Sequence, residues 1–327
     1  MKVFITGATG FVGGAVAAKL RERGDDVVAL VRDPERAAKL SKAGCELVQG
    51  DLSSVEAMES AMMGCDGAIH SAAIYEIGVT KQRCNDLYET NVAGTERVLS
   101  AALKAEVAKV VYISTVNAFG DTHGEVVDET HVHHEDYVSC YDETKHLAHK
   151  VAQRMIEGRA LPGVIALPGG VYGPGDTSEA GAMYDRFLKG KLPAIAFADA
   201  GFNMVYIDDV ADGILLCLDK GKVGESYVLG GELTTVGGVI KALANAAGRD
   251  YPRVTVPSRI VKTIAPLGPV IGPMMGFPRN LREVVRAADG VTYWARHDKA
   301  MRELGYSPRS LDEGMKALIE ARASQRS

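Results

Sequence analysis

The chain has 327 residues, 46% hydrophobic and 24% charged, with 37 Lys+Arg against 42 Asp+Glu and a net charge of −5. That mix is too apolar for a disordered chain, carries no basic block suited to nucleic acid, and supplies core for one large domain or two. The 36 glycines follow no three-residue period, so they are assigned to turns and ligand loops rather than to a fibrous repeat.

In chain order, strand-like runs stand at Val3–Thr6, Val27–Val31, Glu46–Val48, Gly67–His70, Val110–Ser114 and Gly163–Leu167. Between them lie helical patterns at Ala15–Arg23, Pro34–Ala43, Val55–Met63, Leu87–Ala105 and Tyr141–Glu157. Alternating strands and helices, with strands apolar almost throughout, predict an α/β fold: a Rossmann-type, doubly wound parallel sheet covered on both faces. After Pro168 the pattern loosens. Helices are expected at Asp209–Lys220, Val236–Ala247 and Leu311–Ala323, with short strands at Met204–Tyr206, Tyr227–Leu229 and Val254–Val256. Residues 1–170 are read as a dinucleotide-binding domain. Residues 171–327 are read as mainly a smaller C-terminal substrate lobe, some of whose elements return to the first domain.

Cys45, Cys65, Cys84, Cys140 and Cys217 stand far apart with neither C-x-x-C nor metal spacing, and are expected as free thiols of a cytoplasmic protein. The N-terminal apolar run is too short for a signal peptide. The apolar stretch Ile260–Gly276 is broken by Pro266, Pro269 and Pro273, short of the roughly 18 uninterrupted residues of a membrane span; it reads as a lid or packing segment, with Met274 and Met275 as an adaptable wall.

Directly after the first strand comes Thr6-Gly7-Ala8-Thr9-Gly10-Phe11-Val12-Gly13, opening a helix. Gly7 permits a tight turn, Gly10 lets backbone N–H groups approach a pyrophosphate, and Gly13 lets helix and strand pack closely, so a dinucleotide is expected here. At the end of the second strand, Val31 holds the place where an acid would bond the ribose 2′-OH of NAD, and Arg32 follows it. A guanidinium suits a 2′-phosphate, which favours NADP(H) and leaves NAD(H) open. Arg36 could assist, while Asp33 reads equally as a helix cap. Asp51 and Leu52 are placed to meet the adenine, and Ser71, Ala72 and Ala73 to leave room for the dinucleotide on the rim. His70, on the same strand end, reads as a packed residue.

Tyr141 and Lys145 are spaced i, i+4 and so share one helix face. A lysine beside a phenol should lower its pKa towards neutrality and let it exchange a proton with a substrate oxygen. Ser114-Thr115, ending the fifth strand on the same rim, offers a hydroxyl to that oxygen.

With Asn91-Val92-Ala93-Gly94-Thr95, Pro168–Asp176, Tyr206–Val210 and Leu304–Arg309, these motifs make the chain resemble an extended short-chain dehydrogenase/reductase, of the NAD-dependent epimerase/dehydratase group, over nearly its whole length. VRDP at 31–34 and GCDGAIHSAA at 64–73 are similar to dihydroflavonol reductase-like and 3β-hydroxysteroid dehydrogenase-like members. The resemblance implies Tyr141 as proton donor or acceptor, Lys145 as its tuner and ribose ligand, Thr115 as the carbonyl-orienting hydroxyl and Asn91 as support. It places Pro168 and Val171 against the nicotinamide. Threonine stands where the family often has serine, with Ser114 beside it.

The expectation is an NADPH-dependent carbonyl reductase or alcohol dehydrogenase acting on a small, hydrophobic ketone, aldehyde or alcohol, with no nucleic-acid partner and, by resemblance, a homodimer. The alternatives are a sugar-nucleotide epimerase or dehydratase with a recycled cofactor, and a non-catalytic NADP(H)-binding sensor. Asp208 and Asp209 read as capping and bonding between lobes. The tract Thr130–Asp136, with His131, His133 and His134, reads as a solvated loop rather than a metal site.

Overall fold

The computed structural model describes residues 1–133, 135–267, 278 and 280–324. His134, Met274, Met275 and most of the expected lid lie outside the described residues. In chain order the strands are β1 (Lys2–Thr6), β2 (Asp26–Val31), β3 (Glu46–Gln49), β4 (Gly67–His70), β5 (Lys109–Ile113), β6 (Gly163–Pro168), β7 (Gly170–Tyr172), β8 (Ala194–Ala196), β9 (Gly201–Tyr206), β10 (Ser226–Leu229), β11 (Glu232–Thr235) and β12 (Val254–Val256). The helices that matter to the site are α1 (Phe11–Glu22), α2 (Ala38–Lys42), α3 (Val55–Met62), α4 (Lys81–Leu87), α5 (Gly94–Lys104), α6 (Cys140–Arg159), α7 (Glu179–Leu188), α8 (Ile207–Lys220) and α9 (Val236–Ala247).

Seven strands form a parallel sheet in the order β10-β6-β5-β4-β1-β2-β3. This is a Rossmann-like α/β fold. The chain winds outward from β1 to β3, then crosses back to β4 on the other side of β1. The carboxyl ends of β1 and β4 therefore flank the crevice where such sheets hold ligands. Alternate strand residues face opposite ways: Val3, Ile5 and Ala29 pack with α1 and α8, and Phe4, Val28 and Leu30 with α3, α5 and α6. Burial of both faces explains why the strands read as continuous apolar runs.

A second, smaller core unites Tyr172, Tyr184, Phe187, Ile240, Leu243 and Met315 around the three-stranded sheet β11-β9-β7. The segment Tyr227–Leu229, expected in the lobe, instead forms β10 beside β6 in the large sheet, because all three residues are apolar and fully buried there. Further along, Val291–Ala295 threads back over the first half of the chain. Thr292 O accepts from Thr122 N, and Arg296 N donates to Val127 O.

Three local expectations differ from the structure. The helix expected over Leu87–Ala105 is interrupted by a π-helical stretch, Tyr88–Ala93, between α4 and α5. The one expected over Pro34–Ala43 shortens to α2, since Asp33 Oδ1 accepts from the N–H groups of Glu35 and Arg36 and holds them in a turn. Finally, Cys84 in α4 and Cys140 at the start of α6 form a disulfide, while Cys45, Cys65 and Cys217 are free and buried. This corrects the expectation of five free thiols: α4 folds against α6 and brings together two cysteines 56 residues apart in sequence. Among the described residues no helix is long and apolar enough to cross a membrane.

Candidate active site

The loop after β1 is built around its glycines. Gly7 has a φ of +74°, and a Cβ there would lie 2.7 Å from Ala72 N. A Cβ on Gly13 would lie 2.3 Å from Gly7 O, so α1 can approach the loop only with hydrogen at that position. Gly10 caps α1 without a side-chain acceptor, and the helix's first turn carries no acid. The N–H groups of Phe11, Val12 and Gly13 thus end the helix without intrahelical acceptors, in a field that favours an anion. Thr9 and Gly10 are exposed beside them. Thr6 Oγ1 accepts from Ala72 N at 3.3 Å, tying this loop to Ser71–Ala73 across the crevice.

His70 lies beneath that floor, fully enclosed. Its Nδ1 is 2.7 Å from Thr6 Oγ1, its Nε2 is 3.0 Å from Thr95 Oγ1, and burial pushes its pKa down to about 3. It serves packing. At the β2 edge Arg32 is exposed and forms no hydrogen bond or ion pair with another described residue, whereas Arg36 pairs with Asp33 at 3.2 Å. Asp51 Oδ1 accepts from Ser53 N and Ser53 Oγ, which hold its carboxyl below the usual range. Leu52 packs on Gly94, where a Cβ would lie 2.7 Å from its Cδ1.

At the other end of the crevice, Ser139 caps α6 by accepting from Asp142 N. Tyr141 and Lys145 follow on one face, 8% and 3% exposed. The Thr115 hydroxyl lies near enough to the Tyr141 phenol to lower its pKa, and the edge-on ring of Tyr75 stands 4.7 Å away. Ser114 Oγ instead meets His149 Nδ1 at 3.1 Å. Asn91, within the π-helical stretch, accepts from Ile74 N at 2.7 Å and donates to Ile74 O and Thr144 Oγ1. It thereby fastens the segment after β4 to α6. Pro168 ends β6, buried, and Val171 lies half-buried in β7.

Electrostatics correct one expectation. Burial pushes the Tyr141 phenol well above its ordinary range, aided by Tyr75 and by the Asp142 charge, and the nearby Thr115 hydroxyl offsets only part of this. Lys145 is itself buried, which brings its pKa down to about 7, and it donates to Ile113 O at 3.1 Å and Tyr112 OH at 3.3 Å. Desolvation outweighs the attraction between the two groups.

Sequence reasoning missed Asp142, Asn117 and Tyr293. Asp142 is fully buried and accepts from Asn117 Nδ2 and from Tyr293 OH, each at 2.9 Å. An acid in the first turn of a helix reads as a dipole partner, and nothing local marks this one as a hub. Asp209 accepts three hydrogen bonds from the Arg309 side chain and one from its backbone N–H. Asp209 thus joins α8 to the segment before the last helix. His133 stacks on Tyr137 and lies 4.3 Å from the His146 ring, so the tract expected to be a solvated loop is partly packed. Trp294 Nε1 donates to Thr234 O. A separate cavity of about 510 Å³ beside Cys84 and Cys140 is lined by Glu143, Glu283 and Arg286 but not by Thr115, Tyr141 or Lys145.

Residues 3–230 match the model of the NAD dependent epimerase/dehydratase family. The chain is 32% identical over 331 residues to a putative dihydroflavonol 4-reductase of Synechocystis sp., covering 95% of this chain and 92% of that one. It is 29% identical over 332 residues to a 4-hydroxy-2-methyl-3-oxo-4-farnesyl-3,4-dihydroquinoline-1-oxide ketoreductase of Stigmatella aurantiaca, covering 98% and 96%. The crystal structure of gox2253 superimposes with a TM-score of 0.83 at 34% identity, over 99% of this chain and 98% of that one.

Proposed function

The chain belongs to the NAD dependent epimerase/dehydratase family, and from that membership we propose that it is an NADPH-dependent carbonyl reductase, reversible as an alcohol dehydrogenase. The observation that carries this reading is the buried pair Tyr141 and Lys145, one turn apart on α6, with the Thr115 hydroxyl near enough to bear on the phenol.

The chain's residues fit a dinucleotide: an uncapped, acid-free helix N-terminus for the pyrophosphate, small residues at 71–73 for its path, and an uncommitted Arg32 for a 2′-phosphate. When bound, the nicotinamide supplies or accepts the hydride. Thr115 bonds the substrate oxygen and Tyr141 delivers the proton. Because burial holds the phenol well above its ordinary range, Tyr141 keeps its proton at neutral pH and starts as a donor. Lys145, poised near 7, takes up or releases charge at little cost as that proton moves. Asn91 keeps the crevice floor in register with α6. Supporting a hydrophobic carbonyl substrate are the ring of Tyr75 beside the phenol and the ketoreductase and dihydroflavonol reductase names of two relatives.

The test is Tyr141→Phe. With NADPH and a panel of ketones, aldehydes and flavanonols, the native protein should consume NADPH in step with carbonyl reduced. The variant should bind NADPH and turn nothing over. Turnover by the variant removes the assignment, and tightly held cofactor returned unchanged by the native protein indicates an epimerase instead.

A further inference from the structure

We propose that Asp142 is a positioning residue that acts through Asn117 to set the direction of the Thr115 hydroxyl. The proposal rests on the reading of Thr115 and Tyr141 given above. Three side chains form a continuous line. Thr115 Oγ1 donates to Asn117 Oδ1 at 3.2 Å, Asn117 Nδ2 donates to Asp142 Oδ1 at 2.9 Å, and Tyr293 OH donates to Asp142 Oδ2 at 2.9 Å. Asn117 N also donates to Thr115 Oγ1 at 3.3 Å.

An amide can present either its oxygen or its nitrogen, but a carboxylate only accepts. With Nδ2 committed to Asp142, the Asn117 oxygen must face Thr115. The Thr115 proton is then held by Asn117 Oδ1 and one lone pair by Asn117 N, which leaves one lone pair for the crevice, and the proton can move from Asn117 to a substrate oxygen by rotation about one bond. Remove the carboxylate and the amide is free to turn its NH2 towards Thr115, which offers the hydroxyl a second donor and no acceptor. Tyr293, arriving from the far end of the chain, fixes the other carboxylate oxygen, so Asp142 cannot rotate away.

The charge of Asp142 also reaches the proton donor, since it is among the causes that raise the Tyr141 phenol. Burial pushes Asp142 itself up to about 6, against hydrogen bonds from Asn117, Tyr293 and Ser139 that lower it, and the Glu283 carboxylate adds to the rise. The ionisable groups facing it are therefore Tyr141 on its own helix, Tyr75 from the loop after β4, Glu283 from the helix Leu281–Ala288, and Tyr293. Below about pH 6 Asp142 takes up a proton, one of its oxygens becomes a donor, and without the charge its hold on the Asn117 amide weakens.

The experiment measures kcat against pH, with NADPH and the best carbonyl of the panel, for the native protein, Asp142→Asn, Asp142→Ala, Asn117→Ala and the double alanine variant. NADPH affinity is followed by fluorescence titration. The native profile should fall on its acid side near pH 6, and Asp142→Asn should lack that fall while retaining more activity than Asp142→Ala. Asn117→Ala should lose at least tenfold in kcat with NADPH affinity within twofold of native. The double variant should lose no more than the worse single one, because both act on one line. An acid limb that persists in Asp142→Asn, a native kcat in Asn117→Ala, or losses that multiply would each overturn the proposal. Tyr293→Phe removes one donor from the surface of the hub and covers the case in which Asp142→Ala does not fold: it should lower kcat at least threefold, and a native kcat counts against the proposal. Activity surviving in Tyr141→Phe strikes the functional reading instead, so the two failures are separable.

Discussion

Ser114 Oγ and His149 Nδ1 face each other 3.1 Å apart inside the protein, while the adjacent Thr115 hydroxyl donates to Asn117 Oδ1 at 3.2 Å, near the Tyr141 phenol. Neighbours in sequence at the end of one strand point to opposite sides, and only one reaches the crevice. Thr115→Ala should therefore cut kcat by about a hundredfold, the range expected for loss of a group bonded to the developing oxyanion. Ser114→Ala should keep catalysis and cost about 1 kcal/mol of stability, because it leaves His149 without that bond. Steady-state kinetics and denaturant unfolding on both variants check this. The reverse pattern would make Ser114 the orienting hydroxyl.

Arg32 and Arg36 compete for the same role, and their surroundings separate them. Arg36 is already paired with Asp33, so in the proposed reading Arg32 is the guanidinium left for a 2′-phosphate. A charge-assisted contact of roughly 1.5–3 kcal/mol corresponds to about 10- to 150-fold in affinity. Arg32→Ala should weaken NADPH binding within that range and leave NADH binding within twofold. Equal weakening of both cofactors would mean that Arg32 does not read the phosphate.

The bond between Cys84 and Cys140 makes two measurable claims. Alkylation of the unfolded, unreduced protein should label three cysteines, Cys45, Cys65 and Cys217, and reduction should expose the other two. Closing a loop of 56 residues removes unfolded-state entropy worth on the order of 4 kcal/mol. The urea midpoint should accordingly fall when dithiothreitol is present. A midpoint indifferent to the reductant would show that the bond does not constrain the unfolded chain.

His149 is one of the buried histidines that make stability depend on pH. Burial, helped by the charges of His146 and Lys145, brings it down to about 3, and His70 is held at a similar value by burial and Lys145. Unfolded histidines titrate near 6.5, so between about pH 6.5 and 3 the unfolded chain binds more protons. Stability is then lost as pH falls, by up to about 1.4 kcal/mol per unit for each histidine. Asp142, raised to about 6, works in the opposite sense between 6 and its unfolded value near 3.9. His149→Gln should flatten the plot of unfolding free energy against pH between 6.5 and 4. An unchanged slope would show that His149 is protonated in the folded state.

The sheet and the two ends of the site were legible because both rest on local chemistry. β-branched runs mark buried parallel strands, glycines mark a phosphate turn, and a tyrosine and lysine four residues apart must share a helix face. What escaped depends on partners far apart in the chain. Asp142 and Tyr293 are separated by 151 residues and Cys84 and Cys140 by 56, and neither pair has a local pattern. The lowered phenol was expected from the proximity of a positive charge; burial of both groups reverses it, and burial at that depth is a property of the folded whole. The π-helical stretch around Asn91 has the composition of an ordinary helix, and its extra residue shows only in the backbone.

The return of Val291–Ala295 over the first half of the chain has a consequence in time. A ribosome adds roughly 5–20 residues per second, so Tyr293 emerges on the order of 8–30 s after the Asp142 it will fasten. By then β1, β4 and the glycine loop have long been made. During synthesis the nascent chain acquires the means to hold a nucleotide well before it can complete the hydroxyl line beside Tyr141. A chain released before Tyr293 would leave Asp142 Oδ2 without that donor.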